Sequence, residues 1–135
     1  VLFRSREAQG GGSVVAVLDV APEETKSYGI VSVDDDKQRT SPMRGIVEKP
    51  DPAVAPSRLA VIGRYVFEPE IFDYLEATQP GIAGEIQLTD GVSASLETVP
   101  TYAHRFEGKR FDCGSKQGFL DATINYARKR GFVIR

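Results

Sequence analysis

The run RGIVEKP, residues 44–50, sets a short apolar strand against a proline stop and places Glu48 and Lys49 side by side at the exit. Pro50 has no amide hydrogen to give a sheet ladder, so the strand is expected to end just before it. Consecutive strand residues face opposite sides of a sheet, so Glu48 and Lys49 can serve one site only if the strand has already finished. Taken alone, a Glu-Lys-Pro tripeptide is also what a solvated surface pair looks like.

Working outward, residues 13–20 (SVVAVLDV) form a near-continuous β-branched run, the pattern of a strand buried on both faces. APEETKS carries a helix-start or turn signature. Residues 28–34 (YGIVSVD) then read as a short strand, and the polar stretch DDDKQRTSPM joins it to RGIVEKP as a hairpin. Two prolines make residues 51–58 an extended connector. Residues 60–67 (AVIGRYVF) read as the next buried strand, and residues 68–78 as an amphipathic helix presenting Ile71, Phe72 and Leu75. GIAGEIQ is a glycine-rich loop, and LTDGVSASLETV a helix weakened by Gly91 and Ser93. Residues 101–108 are a strand. Residues 115–129 are a final helix with Phe119, Ala122, Ile124 and Tyr126 available for a buried side. The order of elements is α/β.

Composition narrows the function classes. The 135 residues carry 41% hydrophobic content, enough for one core in one domain or part of one. Seventeen basic against nineteen acidic residues give a net charge of −2, which leaves no electrostatic footprint for nucleic acid. The single cysteine, Cys113, cannot form an internal disulfide, and no apolar run reaches the length of a membrane span. A soluble, cytoplasmic protein without membrane or nucleic-acid partners is expected.

Four blocks in this order, RGIVEKP, AVIGRYVF, GEIQLTD (residues 84–90) and FDCGSK (residues 111–116), resemble the C-terminal half of the bacterial UTP:glucose-1-phosphate uridylyltransferases. The resemblance covers roughly residues 10–132. It implies the C-terminal part of a Rossmann-like mixed-sheet nucleotide-diphospho-sugar transferase fold. Val1 to Ser5 have no helix or strand period, and they back-translate to the end of a common sequencing adapter. Residues 1–5 are therefore expected to be an artefact, and residues 6–135 a partial domain. The family's glycine-rich nucleotide loop, base-reading residues and other metal aspartate have no counterpart here. The AQGGGS run lacks the arginine and following helix of such a loop. A lone half-site is expected to be inactive and to fold poorly, with its sheet cut along an exposed edge.

The resemblance assigns roles residue by residue. Glu48 binds glucose hydroxyls and Lys49 the phosphate, in keeping with carboxylate acceptors for vicinal hydroxyls and a compact ammonium for phosphate charge. Gly29, after Tyr28, lets the backbone approach the hexose. Gly63 and Tyr65 join the substrate-binding set; apart from the resemblance, Gly63 reads equally as a bulge glycine and Tyr65 as a core aromatic. Asp112 binds the catalytic divalent cation, for which Mg2+ suits because it takes oxygen ligands and bridges phosphates; Ser115 is free to cap the following helix. Lys49 and Asp112 are thus the catalytic pair. UTP and glucose 1-phosphate would give UDP-glucose and pyrophosphate by in-line attack, in an enzyme that is usually a homo-oligomer. Cys113 is expected as a small buried residue and His104 as a structural one, while Gln87 and Thr89 are structural and Glu85 and Asp90 serve as helix caps or support. A thymidylyltransferase for glucose 1-phosphate and a non-catalytic sugar-nucleotide-binding regulatory protein are the alternatives.

Overall fold

A computed structural model describes residues 2–81 and 84–133. Helix α1 spans Leu2–Ala8, and strands β1 (Ser13–Asp19), β2 (Gly29–Val33), β3 (Thr40–Glu48), β4 (Leu59–Val66) and β5 (Thr101–Arg105) build the sheet. A 3-10 helix covers Pro22–Ser27. Helices α2 (Ile71–Ala77) and α3 (Leu88–Ser95) lie between β4 and β5, and α4 (Lys116–Lys129) follows β5.

The strands run in the order β1-β4-β2-β3-β5 and close into a barrel. β1 and β5 are parallel, with Ser13 opposite Thr101, and the other pairings are antiparallel. This is the mixed sheet that the α/β reading called for. Closure depends on β3, whose first residues, Thr40 to Pro42, pair with β5 while Met43 to Glu48 pair with β2. Every strand therefore has two neighbours, and the exposed sheet edge expected of a half-domain is absent among the described residues.

The β-branched run of β1 is buried from Ser13 through Val17, as its sequence implied. Val15 and Val17 pack with Val31, Met43, Ile46, Leu59, Val61 and Ala103, and with Ile71 of α2 and Val92 of α3. Each of these side chains except Ala103 contributes about 1.5–3 kcal/mol on burial. β4 departs from its expected burial: Leu59 to Val61 are buried, but the strand then opens toward solvent. The cause is a bulge. Val15 pairs with Tyr65 and Val17 with Val61, so two steps along β1 (15 to 17) face four along β4 (65 to 61).

Three other expectations are corrected. Residues 2–5, read as having no periodicity, belong to α1, where Ser5 is buried against His104 and Thr40 and Arg6 pairs with Glu68 at 2.5 Å. Phe72 is 72% exposed, because the short α2 turns Ile71 inward instead. Helix α4 forms with Ser115 as its N-cap, but none of its residues is buried and Phe119 and Tyr126 are mostly exposed. Its Ala122 and Tyr126 face the barrel across an open cavity, which they line with Leu2, Ala16, Ile62 and Tyr65. Helix α3 does form despite Gly91, for a packing reason: a Cβ there would lie 2.5 Å from Leu75 Cδ2, so the glycine permits the close approach of α2 and α3. In the glycine-rich loop, Ile82 and Ala83 lie outside the described residues.

Candidate functional site

Strand β3 ends at Glu48, and Lys49 adopts φ 47°, the one non-glycine residue with positive φ among those described. That turn releases Lys49 from strand alternation and brings its Nζ to 3.6 Å from Glu48 Oε1, so both charges leave on the same side. The amide of Lys49 donates to the carbonyl of Tyr28 at 3.0 Å, which fixes the turn on β2. Left-handed backbone costs a residue with a Cβ roughly 1–2 kcal/mol, and such strain collects at functional positions.

Gly29 stands opposite Glu48 in the β2–β3 ladder and is buried. Its place is tighter than close approach by a sugar alone would need. An added Cβ would meet Thr89 Cγ2 at 3.1 Å, Glu48 Oε2 at 3.2 Å and Ile46 Cδ1 at 3.5 Å. Thr89 of α3 therefore belongs to this wall, and its Oγ1 is buried without a hydrogen-bond partner. A structural role is expected of Thr89 from the sequence, but no spacing in the chain reveals which strand α3 meets.

Tyr65 stacks on Phe67 with ring centroids 5.0 Å apart. Burial, then the negative charge of Glu48, pushes its phenol above the ordinary tyrosine range, so Tyr65 and Glu48 share one electrostatic neighbourhood. Gly63 lies in the β4 bulge at φ 70° with no atom within 4 Å of a Cβ position. Its conformation accounts for the glycine, as the bulge reading allowed.

Asp112 lies in the exposed loop before α4. Its Oδ1 accepts from the Gly114 amide at 3.1 Å and its carbonyl from the Ser115 amide at 3.2 Å, while Ser115 Oγ caps α4 by accepting from the Gly118 amide at 3.0 Å. Asp112 is thus not the cap. No group of three or more His, Cys, Asp or Glu side chains that could hold a metal occurs among the described residues. Among the described residues Asp112 Oδ2 has no hydrogen-bond partner, so this exposed carboxylate fits a single ligand to a hard divalent cation.

The loop and the Glu48 wall meet through Arg110. Its Nη1 donates to Tyr28 Oη at 2.8 Å, and its guanidinium carbon sits 4.9 Å from the centroid of the Tyr28 ring. Arg110, Phe111 and Cys113 also line, with Arg64 and Tyr65, a mainly apolar cavity of about 630 Å³. Cys113 is exposed, contrary to its expected burial, because the turn from Asp112 to Ser115 holds it on the surface. His104 is buried in β5; its Nδ1 bonds Thr40 Oγ1 at 2.8 Å and Ser5 Oγ at 3.1 Å, in a structural setting. Glu85 and Asp90 do not cap α3: the N-cap is Gln87, without a side-chain cap bond.

Residues 2–129 match the family model described as nucleotidyl transferase. The UTP–glucose-1-phosphate uridylyltransferase of Pseudomonas aeruginosa is 48% identical over 114 residues, which are 82% of this chain and 40% of that protein. The Bacillus subtilis enzyme of the same name is 47% identical over 115 residues, 85% of this chain and 39% of its own length. A UDP-glucose pyrophosphorylase solved with UDP-glucose superposes with a TM-score of 0.85 at 38% identity, covering 94% of this chain and 48% of that one. UTP-bound UGPase from Acinetobacter baumannii gives 0.82 at 36% identity, over 95% and 44% of the two chains. A thymidylyltransferase structure from Bacillus anthracis, at 21% identity and a TM-score of 0.69, shares the fold. The chain spans about two fifths of the length of the curated relatives it matches. With nearly its whole length matched and its barrel superposing on solved members, the chain belongs to the nucleotidyl transferase family.

Proposed function

We propose that this chain supplies the sugar-phosphate side of a uridylyltransferase that joins UTP and glucose 1-phosphate into UDP-glucose and pyrophosphate. The observation that carries the reading is Lys49: a left-handed turn that glycine would adopt without strain is occupied by a lysine and puts its ammonium beside Glu48.

Glu48 accepts from vicinal hexose hydroxyls, and Tyr65 closes the same wall. Lys49 neutralises charge on the phosphate whose oxygen attacks the α-phosphorus of UTP in line. Little covalent chemistry falls to the protein, so its contribution is positioning and charge stabilisation. Mg2+, held partly by Asp112, would supply further charge neutralisation on the phosphates. The reaction belongs in the cytoplasm, where its nucleotide and sugar-phosphate substrates are made, and the enzyme acts as a homo-oligomer. Thymidylyl transfer is less favoured, because the relatives near 45–50% identity are uridylyltransferases. No helix among the described residues is long and apolar enough to cross a membrane.

The test measures UDP-glucose formation by the chain alone and by the chain joined to the preceding portion of the Bacillus subtilis relative. Product from the joined form, lost in Lys49→Ala, is the expected result. Undiminished turnover in a folded Lys49→Ala variant overturns the assignment.

A further inference from the structure

We infer that Arg110 is a positioning residue that holds the Asp112 loop against the Tyr28–Gly29 edge of the hexose wall; this rests on the proposed sugar-phosphate site. Three observations carry it. First, the loop after β5 has few ties of its own. The Phe106 amide bonds Val17 at 3.3 Å, and the next backbone bond from this stretch is the turn of Ser115 back to Asp112. Second, its side-chain ties to the sheet are unequal. The Arg39–Glu107 pair is exposed on both partners, whereas Arg110 combines a 2.8 Å bond to Tyr28 with a guanidinium over the same ring. Third, Tyr28 is no neutral anchor, because its carbonyl accepts from the amide of Lys49 and its neighbour Gly29 faces Glu48.

A planar fork that both donates and stacks suits this task, since it restrains direction as well as distance, which a lysine ammonium does not. Helix α4 has no buried residue, so among the described residues Arg110 is the loop's most directional tie to the sheet. Phe111 pairs with Tyr126 of α4, at 6.3 Å between centroids, so its ring ties the loop to the helix. Misplacing a ligand-bearing loop by an ångström weakens a site without unfolding the domain.

The experiment uses the sole cysteine, Cys113, one residue from Asp112 and exposed, as the attachment point for a nitroxide label in the chain itself. Arg110→Ala should raise label mobility severalfold. Tyr28→Phe, which keeps the ring and loses the hydroxyl, should give an intermediate rise, as should Arg110→Lys, and Arg110→Ala with Tyr28→Phe together should exceed Arg110→Ala by nothing further. In the unlabelled joined enzyme of the preceding test, UDP-glucose affinity is compared with Mg2+ and with a chelator. Arg110→Ala should abolish most of the Mg2+-dependent gain while leaving the metal-free affinity and the melting temperature near the parent's. A label as immobile in Arg110→Ala as in the parent overturns the inference, as does an affinity loss equal with and without metal. If the joined parent enzyme shows no affinity for UDP-glucose, the proposed function fails, and label mobility still decides the role of Arg110 in holding the loop.

Discussion

Gly29→Ala separates two reasons for a glycine opposite Glu48: packing against Thr89, and the proposed approach of a sugar. The new methyl would lie 3.1 Å from Thr89 Cγ2 and 3.2 Å from Glu48 Oε2, inside the 3.5–4.0 Å that carbon contacts favour. Overpacking of this kind costs about 1–3 kcal/mol. Gly29 lacks the positive φ that would bar a side chain, so alanine gains about 0.4–1 kcal/mol from a less mobile unfolded chain. The balance is a loss of up to about 2.5 kcal/mol, centred near 1 kcal/mol. Thr89→Ser removes the methyl that makes the 3.1 Å contact and keeps the hydroxyl, so the double variant should recover most of the loss, with the flexible Glu48 carboxylate absorbing the rest. Urea unfolding followed by circular dichroism reads both changes as shifts in midpoint. If Gly29→Ala alone matches the parent in stability, or if Thr89→Ser fails to rescue it, the packing argument is wrong. Unchanged stability with lost UDP-glucose affinity would instead leave sugar approach as the sole reason for the glycine.

Further outcomes follow from the same geometry. Lys49→Gly should raise stability by up to about 1 kcal/mol, by relieving the left-handed turn, while removing turnover in the joined enzyme; thermal melts and product assays on one preparation check the opposite signs. Gly91→Ala should destabilise by roughly 1 kcal/mol or more, since the 2.5 Å approach to Leu75 outweighs the helix-propensity gain of about 1 kcal/mol, and chemical denaturation measures it. Burial, then the nearby Arg39, holds His104 below its ordinary pKa of 6.5, with Glu107 opposing. The unfolded chain then binds the proton more readily, so the His104 contribution is complete above about pH 6.5 and declines as pH falls toward the depressed folded value; His104→Asn should flatten that part of the stability profile.

Local pattern carried much of the fold. The β-branched residues 13–17 predict a strand covered on both faces, the polar link between two apolar runs predicts the β2–β3 hairpin, and Ser115 predicts the start of α4. What pattern could not supply were relations between distant segments. The periodicity of α4 is real, but whether a face is covered depends on what packs there. Gly91 looks like a flaw in a helix until Leu75 is seen beside it. The site divides the same way. Glu48 and Lys49 are legible because they are adjacent and a proline follows, although the sign of φ at Lys49 is not. Thr89 and Arg110 reach the wall only through tertiary packing, and no spacing in the chain announces them.

The closed ring of strands also sets an order of events. The hairpin of β2 and β3 is local and can form early, but the parallel pairing of Ser13 with Thr101 must wait until most of the chain is available. Until β5 arrives, β1 and the first residues of β3 each present an unsatisfied edge to other chains. The last strand is therefore the gatekeeper of solubility: conditions or substitutions that slow its insertion should lengthen the aggregation-prone interval even when the finished barrel is no less stable.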